Sequence, residues 1–269
     1  MLTITALVEN QSNHRQLRAQ AGLSLFIEDE ESRTLFDTGQ DATFIANART
    51  IGLDLRQVEN IVISHGHYDH LGGLRYLTSD DFSSPPRLTA HPRCFDKRRA
   101  ALFIGRHPLL FKSLSPQGID EPPHFRHHLN LTTAPYALNQ RLYFSGEIPR
   151  LTKPSPYGAF VDNHNEPDYI PDECCLIWRG DEGLVLIIGC GHAGLANIIA
   201  HARTVTGETR IQAIVGGLHL RRGLPKALLS AKNALDKQTR VYGCHCTGAW
   251  GRFWLNAHSF TTGETLTFR

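Results

Sequence analysis

Apolar residues recur along this chain at two different periods, and each change of period marks a new element. Leu2, Ile4, Ala6 and Val8 are separated by Thr3, Thr5 and Leu7, the two-residue repeat of a half-buried strand. Residues 22–28 and 33–36 repeat the pattern on either side of an acidic turn, so an antiparallel sheet is expected to open the chain. Asp41 then suits the N-cap of a helix that puts Phe44, Ile45, Ala48 and Ile51 on one face and stops at Gly52. Ile61 to Ile63 read as a short buried strand, with a brief helix through Leu74, Tyr76 and Leu77 after it.

Further strands are predicted at 141–145, at 175–178 and 184–188 as a hairpin, and at 211–215, 240–243 and 265–268. Between them, Leu195, Ile198, Ile199, Ala202 and Val205 form one helical stripe. Pro225 starts a second helix with Leu228, Leu229, Ala231 and Leu235 inward, and Trp250, Phe253 and Trp254 lie on a third. The pattern gives a mixed α/β (α+β) chain with several antiparallel strands. From Ser79 to about residue 140, Pro85, Pro86, Pro108, Pro116, Pro122, Pro123 and Pro135 break any long period. That stretch is read as an insertion into a single domain spanning 1–269, of a length that suits a lid over a pocket. Residues 154–171, with Tyr157, His164 and Asp168, form a second irregular loop.

Composition narrows the function classes. Twenty-eight basic and 26 acidic residues leave a net charge of +2, which offers no electrostatic footprint for nucleic acid or an anionic membrane. Lys97-Arg98-Arg99 and Arg221-Arg222 are expected to be solvated faces. The first residues enter a strand without a leader pattern, and no window approaches the ~20 apolar residues of a membrane span. The six cysteines, with Cys174 next to Cys175 and Cys244 close to Cys246, do not form a secreted disulfide framework. A cytoplasmic protein with reduced thiols is expected.

The chemistry is concentrated in Ile61-Val-Ile-Ser-His-Gly-His-Tyr-Asp-His70, where polar residues burst out at the end of a strand. His65 and His67, two apart, can aim at one cation, and Asp69 and His70 at a second. Imidazole and carboxylate donors suit zinc or a similar divalent ion. His192, His219 and His245 each also follow a predicted strand end. His192 is a candidate ligand, with a helix-capping role as the alternative. His219 is a candidate ligand, proton donor or phosphate contact. Asp37 can orient the histidine loop from behind or cap its own turn. Glu147 and Arg150 can contact a polar or phosphorylated small molecule or pair elsewhere. His91, His107, His124, His127 and His128 are expected at the surface or satisfied in the core.

The H-x-H-x-D-H run resembles the signature of the metallo-β-lactamase fold superfamily. Leu35-Phe-Asp-Thr-Gly39, Ser145-Gly-Glu-Ile-Pro-Arg150, Ile188-Gly-Cys-Gly-His192, Val215-Gly-Gly-Leu-His-Leu220 and His245-Cys-Thr-Gly248 resemble its subgroup of 7,8-dihydropterin-6-methyl-4-(β-D-ribofuranosyl)aminobenzene-5'-phosphate synthase-like proteins. The resemblance implies an αββα sandwich. It implies one or two divalent ions, zinc first with iron or manganese as alternatives, held by His65, His67 and His192 and by Asp69, His70 and His245. Asp69 and His219 become the catalytic candidates, and Glu147, Arg150 and His219 the substrate-binding ones. It also implies a pterin-like or phosphorylated substrate and a transferase reaction. A phosphoester or ester hydrolase, or a metal sensor without turnover, are the competing readings. Cys190 and Asp172 stand where other branches carry a bridging aspartate and a histidine. Cys190 is therefore a thiolate ligand or a small buried residue, with burial favoured. Cys244 and Cys246 are expected to turn away from the metal by strand alternation.

Overall fold

The computed structural model describes residues 1–105, 107–116, 119, 128–152 and 159–269. The N-terminal half contains β1 (Leu2–Val8), β2 (Ser24–Glu28), β3 (Arg33–Phe36), α1 (Thr43–Thr50), β4 (Asn60–Val62), α2 (Tyr68–Leu71) and β5 (Arg87–Ala90). It continues through β6 (Arg99–Ile104), β7 (His107–Ser113), β8 (Leu129–Leu131), β9 (Tyr136–Ala137), β10 (Leu142–Phe144) and β11 (Ala159–Val161). The rest is β12 (Cys175–Gly180), β13 (Gly183–Ile188), α3 (Leu195–Thr206), β14 (Ile211–Gly216), α4 (Pro225–Asn233), β15 (Arg240–Gly243), α5 (Gly248–Leu255), β16 (His258–Ser259) and β17 (Thr265–Phe268).

Two seven-stranded sheets, ordered β17-β1-β2-β3-β4-β5-β8 and β16-β15-β14-β13-β12-β10-β9, lie between helical layers. Among the described residues three apolar cores record the layering. One joins the inner faces of the sheets through Leu2, Ile4, Leu25, Phe144, Trp178 and Val215. A second seats α3, α4 and α5 on the outer face of the second sheet. The third seats α1 and the turns after α2 on the first. This is the αββα sandwich. Most central strands are buried on both faces, so their sequences run apolar almost without a break. Among the described residues no helix is long and apolar enough to cross a membrane.

Each sheet changes from antiparallel to parallel pairing partway across. In the first, β3, β4, β5 and β8 are parallel neighbours; in the second, β13, β14, β15 and β16 are. Loops leaving the carboxyl ends of parallel strands emerge on one side of a sheet, the usual place for a binding crevice in such architectures.

The structure departs from the sequence reading in several places. β5 and β8 of the proline-interrupted stretch belong to the first sheet. β6 and β7 form a hairpin with β11 in a separate three-stranded sheet. Arg98, expected in a solvated cluster, is fully buried, because two carboxylates have drawn it inward. Ala42 occupies the N-cap of α1, although the Asp41 carboxylate still accepts from the Thr43 backbone N–H at 2.8 Å. His124, His127 and Tyr157 lie outside the described residues.

Candidate metal centre

The first sheet contributes the end of β4. Beyond it, Ser64, His65, His67 and His70 are buried, with His67 at the N-cap position of α2. Asp37, at the end of β3, has left-handed backbone (φ 58°) and is fully buried behind them. The second sheet contributes the ends of β13 and β15. The sheets can meet because residue 189 is glycine: a Cβ there would stand 2.1 Å from Ser64 Oγ and 3.2 Å from Asp37 Oδ2. His245 follows β15 in a 3₁₀ turn with φ 49°. Such a conformation costs a non-glycine residue of order 1–3 kcal/mol and persists where surrounding structure enforces it.

Histidines from distant parts of the chain converge here. His65 Nε2 lies 3.0 Å from His67 Nδ1, and His70 Nε2 lies 3.2 Å from His245 Nε2. The His192 ring centroid is 4.9 Å from that of His65 and 5.1 Å from that of His67. Asp69 Oδ2 is 3.7 Å from His245 Nε2. Cys190 lies between the two groups. Its Sγ and the donor atoms of His65 and His192 all lie within 4.8 Å of one another, and the same holds for Cys190, His70 and His245.

Hydrogen bonds behind the rings set their tautomers. Asp37 is acceptor-only when ionised, so Ser64 Oγ–H donates to its Oδ2 at 2.7 Å and His70 Nδ1–H donates to the same oxygen at 2.7 Å. Ser64 Oγ, 2.9 Å from His65 Nδ1, is then left to accept from it. Asn10 Oδ1 is fixed as an acceptor by the Gly22 N–H at 3.2 Å and takes the His245 Nδ1–H at 3.0 Å. His65, His70 and His245 therefore all present Nε2 to the cleft, the arrangement by which carboxylates and amides orient metal-ligating histidines. Among the described residues the buried Nε2 atoms of His67 and His192 have no hydrogen-bond partner. An unpartnered buried nitrogen is costly, and a cation among His65, Cys190 and His192 would satisfy that of His192, so this donor set fits a divalent metal.

Electrostatics agree with that fit. Burial, reinforced by the neighbouring cations and imidazoles, pushes His65, His67 and His192 well below the usual histidine range, which keeps them neutral and ligand-ready. His70 is the exception. Burial opposes its charge, but Asp37 carries it up to about 9. A metal entering at His70 must displace that proton, so apparent affinity is expected to rise by about tenfold per pH unit until His70 is deprotonated near the value above. Chelator-competition titrations on either side of neutrality check this; pH-independent affinity would contradict it.

The other predicted residues are distributed as follows. The His219 ring sits 4.3 Å from that of His192, and Phe160 of β11 packs on His67, His192 and His219. Asp172 turns from the cleft: its Oδ2 accepts the Gly66 N–H at 2.8 Å and its Oδ1 pairs with Arg98 at 2.7 Å. Arg150 donates to the backbone carbonyls of His192, Tyr169 and Ile170. The exposed Glu147 pairs with His91 at 3.3 Å. Glu147 and Arg150 also line a cavity of about 420 Å³ with Arg93, Asp162 and Tyr169.

Sequence reasoning missed Asn10, Arg98, Phe160 and Cys246. Cys244 does turn into the inter-sheet core. Cys246 does not turn away, because the chain after Gly243 leaves the strand for a 3₁₀ turn and alternation no longer applies. Burial opposes charge at Cys246, but hydrogen bonding to Cys190 and the His245 and His219 rings hold this thiol well below the ordinary range.

Residues 17–81 match the sequence model of the metallo-beta-lactamase superfamily. An uncharacterized protein of Methanocaldococcus jannaschii is 29% identical over 220 residues, covering 81% of this chain and 79% of its own. The 7,8-dihydropterin-6-methyl-4-(beta-D-ribofuranosyl)-aminobenzene-5'-phosphate synthase of the same organism is 25% identical over 244 residues, covering 86% and 82%. The crystal structure of a metal-dependent hydrolase of the beta-lactamase superfamily superposes with a TM-score of 0.82 at 26% identity, over 100% of this chain and 99% of that one.

Proposed function

From a chain that carries the fold of the metallo-beta-lactamase superfamily, we propose a metal-dependent enzyme that forms a C–N bond between a pterin-like methyl group and an arylamine, releasing diphosphate. The observation that carries the metal-dependent part is the convergence of His65, His67, His70, His192 and His245, with an orphaned Nε2 on His192, in a buried cleft between strand ends. The choice of reaction is supported by the likeness to the synthase over most of both chains.

His65, His67 and His192 would hold one divalent ion, and Asp69, His70 and His245 a second, with Cys190 between them. Such ions supply charge neutralisation for a departing phosphate or diphosphate and a water made acidic enough to react at neutral pH. The chain supplies the rest. Asp37, Ser64 and Asn10 keep Nε2 lone pairs aimed into the cleft, and Phe160 packs against the rings of His67, His192 and His219. Glu173, accepting from the His192 N–H at 2.6 Å, and Arg150, donating to the His192 carbonyl at 2.8 Å, hold that residue's backbone from two directions. Asp69, only partly buried, and His219 are the proton-carrying candidates at the rim. The neighbouring cavity carries Arg93 and Arg150 beside Glu147, Asp162 and Asp168, a wall of mixed charge that suits a polar part of the substrate.

The likeness to a metal-dependent hydrolase over the full chain favours a second reading, in which water replaces the amine. One assay separates them. Metal-loaded protein is given a dihydropterin methyl diphosphate with and without an aminobenzene riboside phosphate, alongside a phosphodiester panel. Diphosphate release that depends on the arylamine is expected. Release that ignores the amine, or turnover of phosphodiesters alone, would establish the hydrolase; bound metal with no turnover of either class would leave a sensor.

A further inference from the structure

Three adjacent parallel strands, β13, β14 and β15, end level with one another, Ile188 paired with Gly216 and Gly216 with Gly243. Two or three residues beyond each end comes a soft or borderline donor: Cys190, His219 and Cys246. Their ligand atoms lie within 4.8 Å of one another. For comparison, zinc bonds of about 2.0–2.3 Å to nitrogen and sulfur put neighbouring donors of a tetrahedral site roughly 3.3–3.8 Å apart, so these donors would draw together by up to roughly 1–1.5 Å on ligation. Cys190 is buried, whereas His219 and Cys246 are partly open to solvent, which leaves an entry path.

The backbone around the cluster is built to hold the sulfur. The His219 N–H donates to Cys246 Sγ at 3.2 Å and the thiol in turn donates to the Cys190 carbonyl at 3.3 Å; the amide hydrogen bond remains when a metal displaces the thiol proton. Residue 217 must be glycine for this approach, since a Cβ there would lie 2.8 Å from Cys246 Sγ and 2.3 Å from the Gly189 carbonyl oxygen. His219, like His245, holds left-handed backbone, with φ 52°. The strained backbone of His219 and His245, on either side of the cluster, is consistent with a local constraint at this site.

We propose that Cys190, His219 and Cys246 form a thiolate-rich site for a thiophilic divalent cation, zinc first, on the second-sheet side of the histidine cleft. The site goes beyond the proposed enzymatic reading, with which it shares Cys190, and it gives His219 a ligand's role in place of the proton-carrying one. It makes the cleft selective: sulfur donors favour zinc, cobalt or cadmium over magnesium or manganese.

Cobalt(II) tests this, because thiolate ligation adds near-ultraviolet sulfur-to-metal charge-transfer absorption that imidazole and carboxylate ligation lack. Apo-protein titrated with cobalt is expected to show that band. It should fall by about twofold in Cys246→Ser and about twofold in Cys190→Ser, and vanish in the double variant. Bound cobalt with visible bands but no charge-transfer band would overturn the thiolate site and leave the histidine reading standing; absence of cobalt binding altogether would sink both. A band that survives intact in Cys246→Ser would also overturn the proposal. Iodoacetamide labelling of Cys246 in the unmutated protein gives an answer independent of variant folding. Zinc is expected to protect Cys246, and equal labelling with and without zinc would count against the site.

Discussion

Replacing His65 and His70 together by alanine is expected to leave a folded protein that loses the metal of the histidine cleft and keeps at most the ion held by Cys190, His219 and Cys246. The two rings are the inner walls of the cleft, their centroids 4.2 Å apart, and each presents an Nε2 fixed by Ser64 or Asp37. Changing a residue that merely supports a ligand typically lowers metal affinity about 10–100-fold; removing one ligand from each group should exceed that range, enough to empty both sites during purification. The fold should survive because neither side chain belongs to the three apolar cores. Asp37 keeps the Ser64 N–H at 2.7 Å and the Ser64 hydroxyl, and water can enter the polar hole left behind. Metal content by plasma emission, alongside far-ultraviolet circular dichroism, checks both parts. Full metal content in a folded double variant would contradict the assignment of these histidines.

What could be read from the sequence followed periodicity and adjacency. β1, β3, β12, β13, β14, β15 and β17 were legible because their apolar runs are bounded by turn residues, and His65, His67, His70, His192 and His245 because each closely follows such a run. The features that escaped have a common physical character: the effect lies between segments remote in sequence. Nothing near Asn10 says that it meets a ring 235 residues away. Phe160 lies on a three-residue strand beside residues that carry no readable period. Cys246 was misassigned because strand alternation was carried past Gly243, into a turn entered through the positive φ of His245. Arg98 looked solvated beside Lys97 and Arg99, since a cationic triplet carries no mark of the carboxylates that bury its middle member. β5 and β8, of four and three residues, are too short to show a period. They are ordered by parallel pairing to β4 and to each other.

Arg98→Ala is expected to be the most destabilising single change outside the apolar cores. The guanidinium is wholly buried, bonded to Asp168 at 2.9 Å and to Asp172 at 2.7 Å, and it also donates to the Arg93 carbonyl. Removing one member of such a buried ionic group leaves uncompensated charge and typically costs about 3–5 kcal/mol. For a chain of this size that corresponds to a fall in Tm of roughly 6–20 °C. The loss should depend on pH. Burial already holds the Asp172 carboxyl above the usual carboxylate range even beside Arg98, and without the guanidinium it rises further. A carboxyl whose folded pKa lies above its unfolded value weakens stability as pH climbs from the unfolded value through the folded one, so the variant should be less impaired in mild acid than at neutral pH. Asp172→Asn added to Arg98→Ala removes one stranded charge while keeping an oxygen for the Gly66 N–H, and should recover part of the loss. Because that N–H lies between His65 and His67, metal affinity should fall with Arg98→Ala and return in part with the second change. Thermal unfolding across pH, with metal titration of the folded variants, measures both effects. A loss under about 1 kcal/mol, the size of a surface pair, would mean that the network does not brace the histidine loop.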